Sequence, residues 1–427
     1  MKDTKPTRRQ FLKTTLAASA SMPFMKTSFA SNSVTDLDVR IDKIYCFRAI
    51  YDRPRIIGGN SGYKLAGGRR HDWMIALFGN NGKIGLGSCP RYGRPTPTDF
   101  PLGKTIGDLL GKHLAETADK VGTTAVWDLA GKTLGKPVYE LLGGQRKPEG
   151  IQVYDGGIYM EELINRDANS AYRNPNAPYG PRPSWKDIFM EAIDVSRKQG
   201  HNFVKVKIGR GHLHLDRQAG NIQDAAVLRF IREYAGPDLR IGVDANNGYD
   251  LNDTLWLLEN HGDLNLEFIE EMFPEDIEKY QQVKDAINSK GLKTLVADGE
   301  NWKTAYDPGV PEIINAGVID VLQGDMRMFQ IEGILAEAEL AKKAGHGAQI
   351  APHNWGCEFA WYVMIHMGNA IPHYYGAEHD PGSIRVPVMV KDGYAINNGR
   401  CFASEAPGFG VHLDLDLLEK VEKVYAF

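Results

Sequence analysis

The chain lacks the features of a membrane-spanning or nucleic-acid-binding protein. No apolar run reaches 18 residues, so the sequence predicts no permanent membrane span. Its 50 lysines and arginines stand against 54 acidic residues, a net charge of −4, which argues against a nucleic-acid partner. The 427 residues are 42% apolar and 24% charged, which predicts a folded protein of about two domains.

Cysteine is scarce, and no nucleotide-binding motif is present. The four cysteines (Cys46, Cys89, Cys357 and Cys401) lie far apart without a C-x-x-C pair, which argues against a zinc or redox motif. Neither G-x-G-x-x-G nor G-x-x-x-x-G-K-[ST] follows a strand-like run, so nucleotide-binding α/β folds lose their main support. The sequence leaves open whether the four thiols form disulfides.

The first 30 residues predict a signal peptide. Arg8 and Arg9 lie in a short polar segment, residues 14–24 are weakly apolar, and Ser28-Phe29-Ala30 offers a small-residue cleavage site. A flexible basic tail is the alternative, but the order of these three segments favours export. The arginine pair and the Phe-Leu-Lys that follows resemble the twin-arginine translocation signal, which implies a periplasmic protein. We therefore exclude residues 1–30 from the fold.

The next part of the chain predicts a small α+β domain over residues 36–149. Residues 39–50 alternate like a strand, and residues 72–86 read as a hairpin with a Gly-Asn-Asn-Gly turn. Between them, residues 58–70 are rich in glycine and arginine and predict a mobile loop. Residues 104–142 have helical periodicity that stops at two glycines.

A regular alternation of strands and helices follows. Strand-like apolar runs occupy residues 151–157, 203–209, 241–247, 266–272, 294–300, 318–325 and 348–354. Helical segments separate them, which indicates parallel βαβ units. The sequence therefore predicts a closed α/β barrel over residues 150–375. Residues 376–427 are predicted to return to the first domain.

Polar residues cluster at the ends of these strand-like runs, where barrel enzymes place their active sites. They are Lys205, Lys207, Asp244, Asn246, Glu270, Glu300, Asp325 and His353. A single acid at a strand end is most often the N-cap of the next helix. From Asp244 to His353, however, the intervals are 26, 30, 25 and 28 residues, about one βα unit each. This regularity favours one shared site.

Electrostatics restricts what such a site can hold. Three carboxylates about 4 Å apart repel by about 4 kcal/mol per pair at an effective dielectric constant near 20. Asp244, Glu270 and Glu300 therefore require protons or a cation, and an all-oxygen ligand set selects a hard metal such as Mg²⁺. One histidine on a strand end disfavours zinc.

A lysine and a histidine flanking Mg²⁺ suit the removal of a proton α to a carboxylate. The metal would neutralise the substrate carboxylate and stabilise the enediolate that forms. A lysine that acts as the base would need a depressed pKa, which the metal and the second lysine of the Lys205–Lys207 pair would supply. His353 would need an orienting partner, and Asp325 is the candidate.

Together these residues resemble the enolase superfamily, mandelate racemase group. Residues 125–144 (AVWDLAGKTLGKPVYELLGG) resemble the family signature where cap and barrel join. The resemblance implies a modified TIM barrel, (β/α)7β, with an α+β capping domain completed by the C-terminal tail. It implies Mg²⁺ ligands at Asp244, Glu270 and Glu300, bases at Lys207 and at the His353–Asp325 dyad, and substrate contacts at Lys205, Asn246 and Glu378.

The sequence departs from the family at one position. Glu270-Glu271-Met272 stands where the family commonly has Glu-Glu-Pro, which makes both glutamates candidate ligands, and we choose Glu270. Substrate identity depends on the loops. Polar residues there that suit a hydroxylated anion are Tyr63, Lys64, Arg69, Arg70, His71, Arg173 and Arg182.

Three functions stay open at this point. The Lys-x-Lys pair with a His–Asp dyad favours an acid-sugar dehydratase that forms a 2-keto-3-deoxy acid. The alternative is a racemase, epimerase or cycloisomerase that uses the same site. A binding protein built on a retired barrel is disfavoured because it needs no pair of bases. The predicted partners are a small carboxylate substrate and further copies of the chain.

Overall fold

A computed structural model describes residues 37–90, 100–163, 184–355, 358–381, 383–384, 389–418 and 423–426. The predicted signal peptide, Cys357, Arg173 and Arg182 lie outside the described residues. No helix among the described residues is long and apolar enough to cross a membrane.

The N-terminal part folds as an antiparallel sheet backed by short helices. Its elements are β1 (Ile41–Gly58), β2 (Leu65–Gly79), β3 (Ile84–Ser88), α1 (Ile106–Leu110), α2 (Leu114–Lys120), α3 (Thr124–Leu134) and α4 (Val138–Leu141). Helix α3 packs against β3 at close range, since a Cβ on Gly85 would lie 2.2 Å from the carbonyl oxygen of Ala125. A larger residue there would push the helix off the sheet.

The prediction of a mobile loop over residues 58–70 is wrong for most of that segment. Strands β1 and β2 form one long hairpin, and residues 59–64 alone connect them. Ion pairs fix two arginines of this hairpin, Arg53 and Arg70. Arg53 and Arg70 each lie 2.9 Å from a carboxylate oxygen of Asp380, and all three side chains are buried.

The following elements form a closed parallel barrel. The strands are β4 (Ile151–Ile158), β5 (Phe203–Lys207), β6 (Arg240–Asp244), β7 (Phe268–Glu270), β8 (Leu295–Asp298), β9 (Val321–Leu322), β10 (Gln349–Ile350) and β11 (Ala377–His379). The helices are α5 (Trp185–Lys198), α6 (Arg210–Leu213), α7 (Arg217–Ala235), α8 (Leu251–His261), α9 (Ile277–Ser289), α10 (Val310–Ala316), α11 (Met326–Ala344) and α12 (Glu358–Ala370). Successive strands from β4 to β10 pair in parallel, Ile350 bridges to Tyr374, and β11 pairs with β4.

The last barrel strand corrects one predicted boundary. Strand β11 contains Glu378 and pairs in parallel with β4, so the barrel does not end at residue 375. Its three residues, Ala-Glu-His, include only one apolar residue. A segment this short shows no periodic pattern from which a strand could be predicted.

The tail adds strands to both sheets. It comprises β12 (Ser383–Ile384), β13 (Met389–Lys391), β14 (Ile396–Asn397), β15 (Arg400–Cys401), β16 (Val411–Leu413), α13 (Leu415–Leu418) and β17 (Lys423–Ala426). Strands β12 and β17 pair with β1 in antiparallel fashion, and β15 pairs with β4. The predicted fold, a modified TIM barrel with an α+β cap completed by the tail, is confirmed.

Side chains along each barrel strand alternate between the inner and outer faces, and the inward ones fill the barrel. A buried layer closes the interior and consists of Tyr154, Phe203, Phe268, Ala297, Val321 and Ala351. The rings of Tyr154 and Phe203 lie 5.1 Å apart. Inward positions recur every second residue, so Lys205 and Lys207 follow Phe203 on the inner face, and Glu270 follows Phe268. The polar residues therefore lie above an apolar floor, at the carboxyl end of the strands.

Candidate active site

Three acids meet where β6, β7 and β8 end. Asp244 and Glu270 are the last residues of β6 and β7 and lie side by side in the parallel pairing. Glu300 follows β8 by two residues. One carboxylate oxygen of each lies within 4.8 Å of the others, and Asp244 and Glu270 are fully buried. The structure thus brings together the three predicted ligands.

Lys205 is a buried cation at the centre of the acids. Its Nζ lies 2.5 Å from Glu270 Oε1, 2.8 Å from Glu378 Oε1 and 3.4 Å from Asp244 Oδ2. Burial opposes its charge, but Glu270, Glu378 and Asp244 outweigh burial and raise the pKa of Lys205 well above its ordinary value. Lys205 therefore remains protonated and fixes the positions of these carboxylates.

Lys207 lies at the Asp244 side of the group. Its Nζ donates a hydrogen bond to Asp244 Oδ2 and lies 5.3 Å from the ring centre of Tyr159. Burial lowers the pKa of Lys207 and the nearby Lys205 lowers it further, but the Asp244 carboxylate outweighs both and raises the pKa. The structure therefore does not show the expected depression of this pKa.

His353 and Asp325 form a dyad at the Glu300 side. His353 Nδ1 donates to Asp325 Oδ2 over 2.7 Å, and His353 Nε2 lies 3.1 Å from Glu300 Oε2. Burial lowers the pKa of His353, but Glu300 and Asp325 outweigh burial and raise it to about 9. Asp325 is also the N-cap of α11, so the capping interpretation of this acid holds, and its part in a second base stays a prediction.

Glu378 joins the site from the last barrel strand. Its Oε1 binds Lys205, and its Oε2 accepts a hydrogen bond from the backbone amide of Asn354 over 3.0 Å. Gly156 on the neighbouring strand leaves the space that this side chain fills. A Cβ on Gly156 would lie 2.3 Å from Glu378 Oε1.

Asn246 has a different environment from the one its predicted substrate-binding role implies. Its Oδ1 accepts a hydrogen bond from Asn60 Nδ2 in the cap over 2.7 Å. Its Nδ2 donates to Glu271 Oε2 over 3.1 Å and to Glu300 Oε1 over 3.3 Å. Asn246 thus links the cap segment between β1 and β2 to the acids, and its role as a substrate contact stays a prediction.

Glu271 is a buried acid beside the site. The sequence made it the alternative to Glu270 as a metal ligand. Glu271 has a left-handed backbone with φ of +44°. Its carboxylate accepts hydrogen bonds from Asn246 and Asn301. Burial, Glu300 and Asp244 raise its pKa well above the ordinary value. Glu270, and not Glu271, belongs to the three-acid group. Glu271 instead accepts hydrogen bonds from the side-chain amides next to that group.

The loop residues predicted to contact substrate have diverse surroundings. Arg70 is buried against Asp380, and Arg69 pairs with Asp52 at the surface over 2.9 Å. Tyr63 lies near the site, with its ring 6.5 Å from that of Tyr159. Tyr159 follows β4 directly, and no sequence motif singled it out.

The acid group fits a magnesium ion by its chemistry. Its donors are all carboxylate oxygens, the ligands that Mg²⁺ prefers. Burial raises the pKa of Glu270, and Asp244 and Glu378 raise it further although Lys205 opposes them. Asp244, Glu270 and Glu300 would hold the ion, and the two lysines alone do not offset the acids around them.

Comparisons with known proteins agree with this geometry. The family model described as Enolase C-terminal domain-like matches residues 189–417. The chain is 25% identical to D-galactarolactone cycloisomerase of Agrobacterium fabrum over 392 residues, which cover 82% of this chain and 91% of that protein.

Two solved structures from Geobacillus extend the likeness to the fold. Galacturonate dehydratase, in complex with D-galacturonate and 5-keto-4-deoxy-D-galacturonate, is 28% identical with a TM-score of 0.75, covering 91% of this chain and 99% of that one. A mandelate racemase/muconate lactonizing protein in complex with magnesium and tartrate is 28% identical with a TM-score of 0.77, covering 90% and 95%. These relatives confirm the predicted class, a lyase or isomerase, and magnesium accompanies one of them. The chain belongs to the enolase C-terminal domain-like family of the enolase superfamily, with mandelate racemase and muconate lactonizing enzymes as its structural neighbours.

Proposed function

We propose that this chain removes the α-proton of a sugar acid and expels the β-hydroxyl as water, forming a 2-keto-3-deoxy acid. One observation supports this proposal above the others. Two proton-transferring groups, Lys207 and the His353–Asp325 dyad, contact opposite ends of one buried group of acids. A site that only binds a ligand has no use for two such groups.

Each group of the site has a definite task in this reaction. A magnesium ion held by the three acids would supply positive charge for the substrate carboxylate and for the enediolate. Lys205, which stays protonated among the carboxylates, adds fixed positive charge at the same place. Asp325 holds the His353 ring so that Nε2 faces the acids, and Nδ1 keeps its proton.

The proton balance requires one base and one acid. Either Lys207 or His353, once it has given up its own proton, takes the α-proton, and an acid in the site gives a proton to the departing β-hydroxyl, which leaves as water. The enol that remains becomes the ketone by taking a proton on its carbon and releasing the proton of its hydroxyl. No oxidant or reductant takes part, so the chain needs no redox cofactor for this reaction.

A cycloisomerase or epimerase is the second candidate. The Agrobacterium relative, D-galactarolactone cycloisomerase, matches most of this chain. The same pair of bases can remove and return a proton without loss of water. A change in mass therefore separates the candidates, because dehydration removes water whereas isomerisation retains it.

The test is an NMR and mass-spectrometric screen of the purified chain with Mg²⁺ in D₂O. The panel contains galacturonate, rhamnonate, arabinonate and galactarolactone, together with other uronic, aldonic and aldaric acids. We expect a keto-deoxy product that carries deuterium at the carbon that lost its hydroxyl. An α-proton that stays in place across the panel, with EDTA-treated chain as the blank, contradicts the proposed function.

We also propose that the chain is exported by the twin-arginine route and assembles as a homo-oligomer. Arg8, Arg9 and the cleavage site at Ser28-Phe29-Ala30 support export. Sequencing the N-terminus of periplasmic protein tests this, and an Arg8→Lys, Arg9→Lys variant is expected to remain in the cytoplasm. Light scattering of the mature chain tests the oligomer, and the mass of a single chain, which lies below the 47.4 kDa of the full sequence, contradicts it.

A further inference from the structure

The turn that carries Asp325 is separated from the rest of its helix. Asp325 begins α11, and its Oδ1 accepts hydrogen bonds from the backbone amides of Arg327 and Met328, each over 2.9 Å. Gln330 then breaks the helix with φ of +58° and ψ of −177°. A single turn cannot take its orientation from the long helix beyond the break, so contacts with other elements must fix it.

Arg327 provides such contacts in two directions. Its Nη1 donates to Asp72 Oδ1 on β2 of the cap over 2.7 Å. Its Nη2 donates to the backbone carbonyl of Trp355 over 2.6 Å. Trp355 follows His353 by two residues, so one guanidinium connects the turn of Asp325, the segment of His353 and the cap.

We infer that Arg327, held by Asp72 of the cap, is a positioning residue for the Asp325–His353 dyad. Its backbone amide binds the Asp325 carboxylate, and its side chain fixes the segment that bears His353. Arg327 and Asp72 are 6% and 2% exposed, so water does not loosen the pair. The planar guanidinium holds several donors in a fixed geometry and can bind both acceptors at once, whereas a lysine ammonium lacks that geometry.

A merely structural bond between cap and barrel is the competing explanation, and the same helix offers a matched control. Glu332 lies beyond the break and accepts hydrogen bonds from Thr123 over 2.6 Å and from Trp127 over 2.8 Å, both in the cap. Glu332→Gln therefore weakens contact between cap and barrel without touching the turn of Asp325.

The first experiment needs no substrate, so it is independent of the proposed function. In ¹⁵N-histidine-labelled protein, the proton on His353 Nδ1 gives a downfield signal that His353→Asn identifies by its loss. We expect Arg327→Met and Asp72→Asn to broaden or shift that signal, and Glu332→Gln to leave it unchanged. An unchanged signal in folded Arg327→Met overturns the inference.

The second experiment rests on the proposed function and uses the substrate found by the screen. A misplaced catalytic group costs about 100-fold in rate, so we expect kcat of Arg327→Met to fall by about that factor with KM within about threefold. Arg327→Lys should recover part of the loss. If Arg327→Met does not fold, the kcat values of Asp72→Asn and Arg327→Lys test the inference in its place.

If kcat of Glu332→Gln falls as much as kcat of these variants, Arg327 is not a positioning residue. Wild-type protein without turnover contradicts the proposed function instead.

Discussion

The two candidate bases are separable at the level of single residues. A positioned acid or base contributes about 10²–10⁴-fold to rate, so we expect Lys207→Ala and His353→Asn each to lower kcat within that range. Because Lys207 binds Asp244 and His353 faces Glu300, each base should reach one face of the substrate carbon. Hydrogen–deuterium exchange by NMR, on two epimers of the substrate, checks this.

The outcome for the two epimers is specific. Lys207→Ala should lose exchange with one epimer and His353→Asn with the other. If a variant exchanges the α-proton of both epimers at the wild-type rate, the substituted residue does not act as a base in the proposed mechanism. Circular dichroism of both variants serves as the control for folding.

Gly156 predicts a loss of activity from a single added methyl group. In Gly156→Ala the new Cβ would overlap Glu378 Oε1 and force this carboxylate away from Lys205. We expect kcat to fall at least tenfold, a loss of about 1.4 kcal/mol in transition-state stabilisation, measured by steady-state kinetics. Gly107→Ala is the control, because its nearest neighbours are 3.7 Å away and leave room. Equal activity of both variants contradicts the prediction.

Residues of the site differ in how far the sequence could predict them. The alternation of Phe203, Lys205 and Lys207 and the regular spacing of the strand-end acids follow from local pattern, and the structure brings these side chains together. The partner of Asn246 could not be predicted. Asn60 lies 186 residues earlier, and its contact depends on how the cap sits over the barrel.

At the scale of elements, the cap segment between β1 and β2 is tied to the site by two hydrogen bonds. Asn60 Nδ2 donates to the Asn246 side chain, and Ser61 Oγ donates to the Asn246 carbonyl over 2.8 Å. We expect Asn60→Ala to remove about 1 kcal/mol of this docking and to raise KM about fivefold, with a smaller change in kcat. Steady-state kinetics check this.

The control for this loop variant is the same residue type at a distance. Asn260 lies at the exposed end of α8 and donates to the Trp256 carbonyl. Asn260→Ala should leave KM unchanged. A KM for Asn60→Ala that equals the wild-type value indicates that the segment docks independently of this bond.

Element prediction from sequence succeeded where patterns were long and failed where they were short. The seven strand-like runs each overlap a barrel strand, because buried parallel strands read as continuous apolar runs. Strand β11 has three residues, and residues 65–70 of β2 are rich in glycine and arginine, so neither has a readable period. Pairing with β4 and with β1 forms these strands, and pairing is not visible in a local pattern.

For the whole molecule, magnesium should act as a stabilising ligand. An ion at 100 times its Kd adds about 2.7 kcal/mol to the free energy of unfolding, so EDTA should lower Tm of the wild-type protein. Glu300→Gln removes one acid of the group and should lose most of this difference. Calorimetry with and without EDTA measures it. Glu278→Gln, at an exposed position of α9, should keep the full difference.

A magnesium-dependent Tm that is equal in Glu300→Gln and Glu278→Gln places the ion elsewhere. In that case the acid group must be neutralised by protons, since the pKa of Glu270 is raised by burial and by its acidic neighbours.

The bond between cap and barrel at Asp380 should make stability depend on acid pH. Burial raises the pKa of Asp380, but Arg70 and Arg53 outweigh burial and lower it from 3.8 to about 2. Because the pKa of this carboxyl is lower in the folded protein than in the unfolded chain, its ionised form stabilises the fold at pH values above the unfolded-state pKa. This contribution, about 2 kcal/mol, is lost as pH falls from about 4 towards 2. Wild-type Tm should therefore exceed that of Asp380→Asn at pH 7, and the gap should narrow below pH 4. A constant gap contradicts the assignment.

The position of β17 has a consequence for how the chain is made. Strand β1 leaves the ribosome before the barrel, yet β12 and β17, which cover its second edge, are synthesised only after the whole barrel. Until then β1 exposes unpaired amides and carbonyls, the template on which extended segments of other chains can add. Nascent chains therefore carry an open β-edge throughout the synthesis of the barrel, and a chaperone that binds extended segments has this interval in which to protect them.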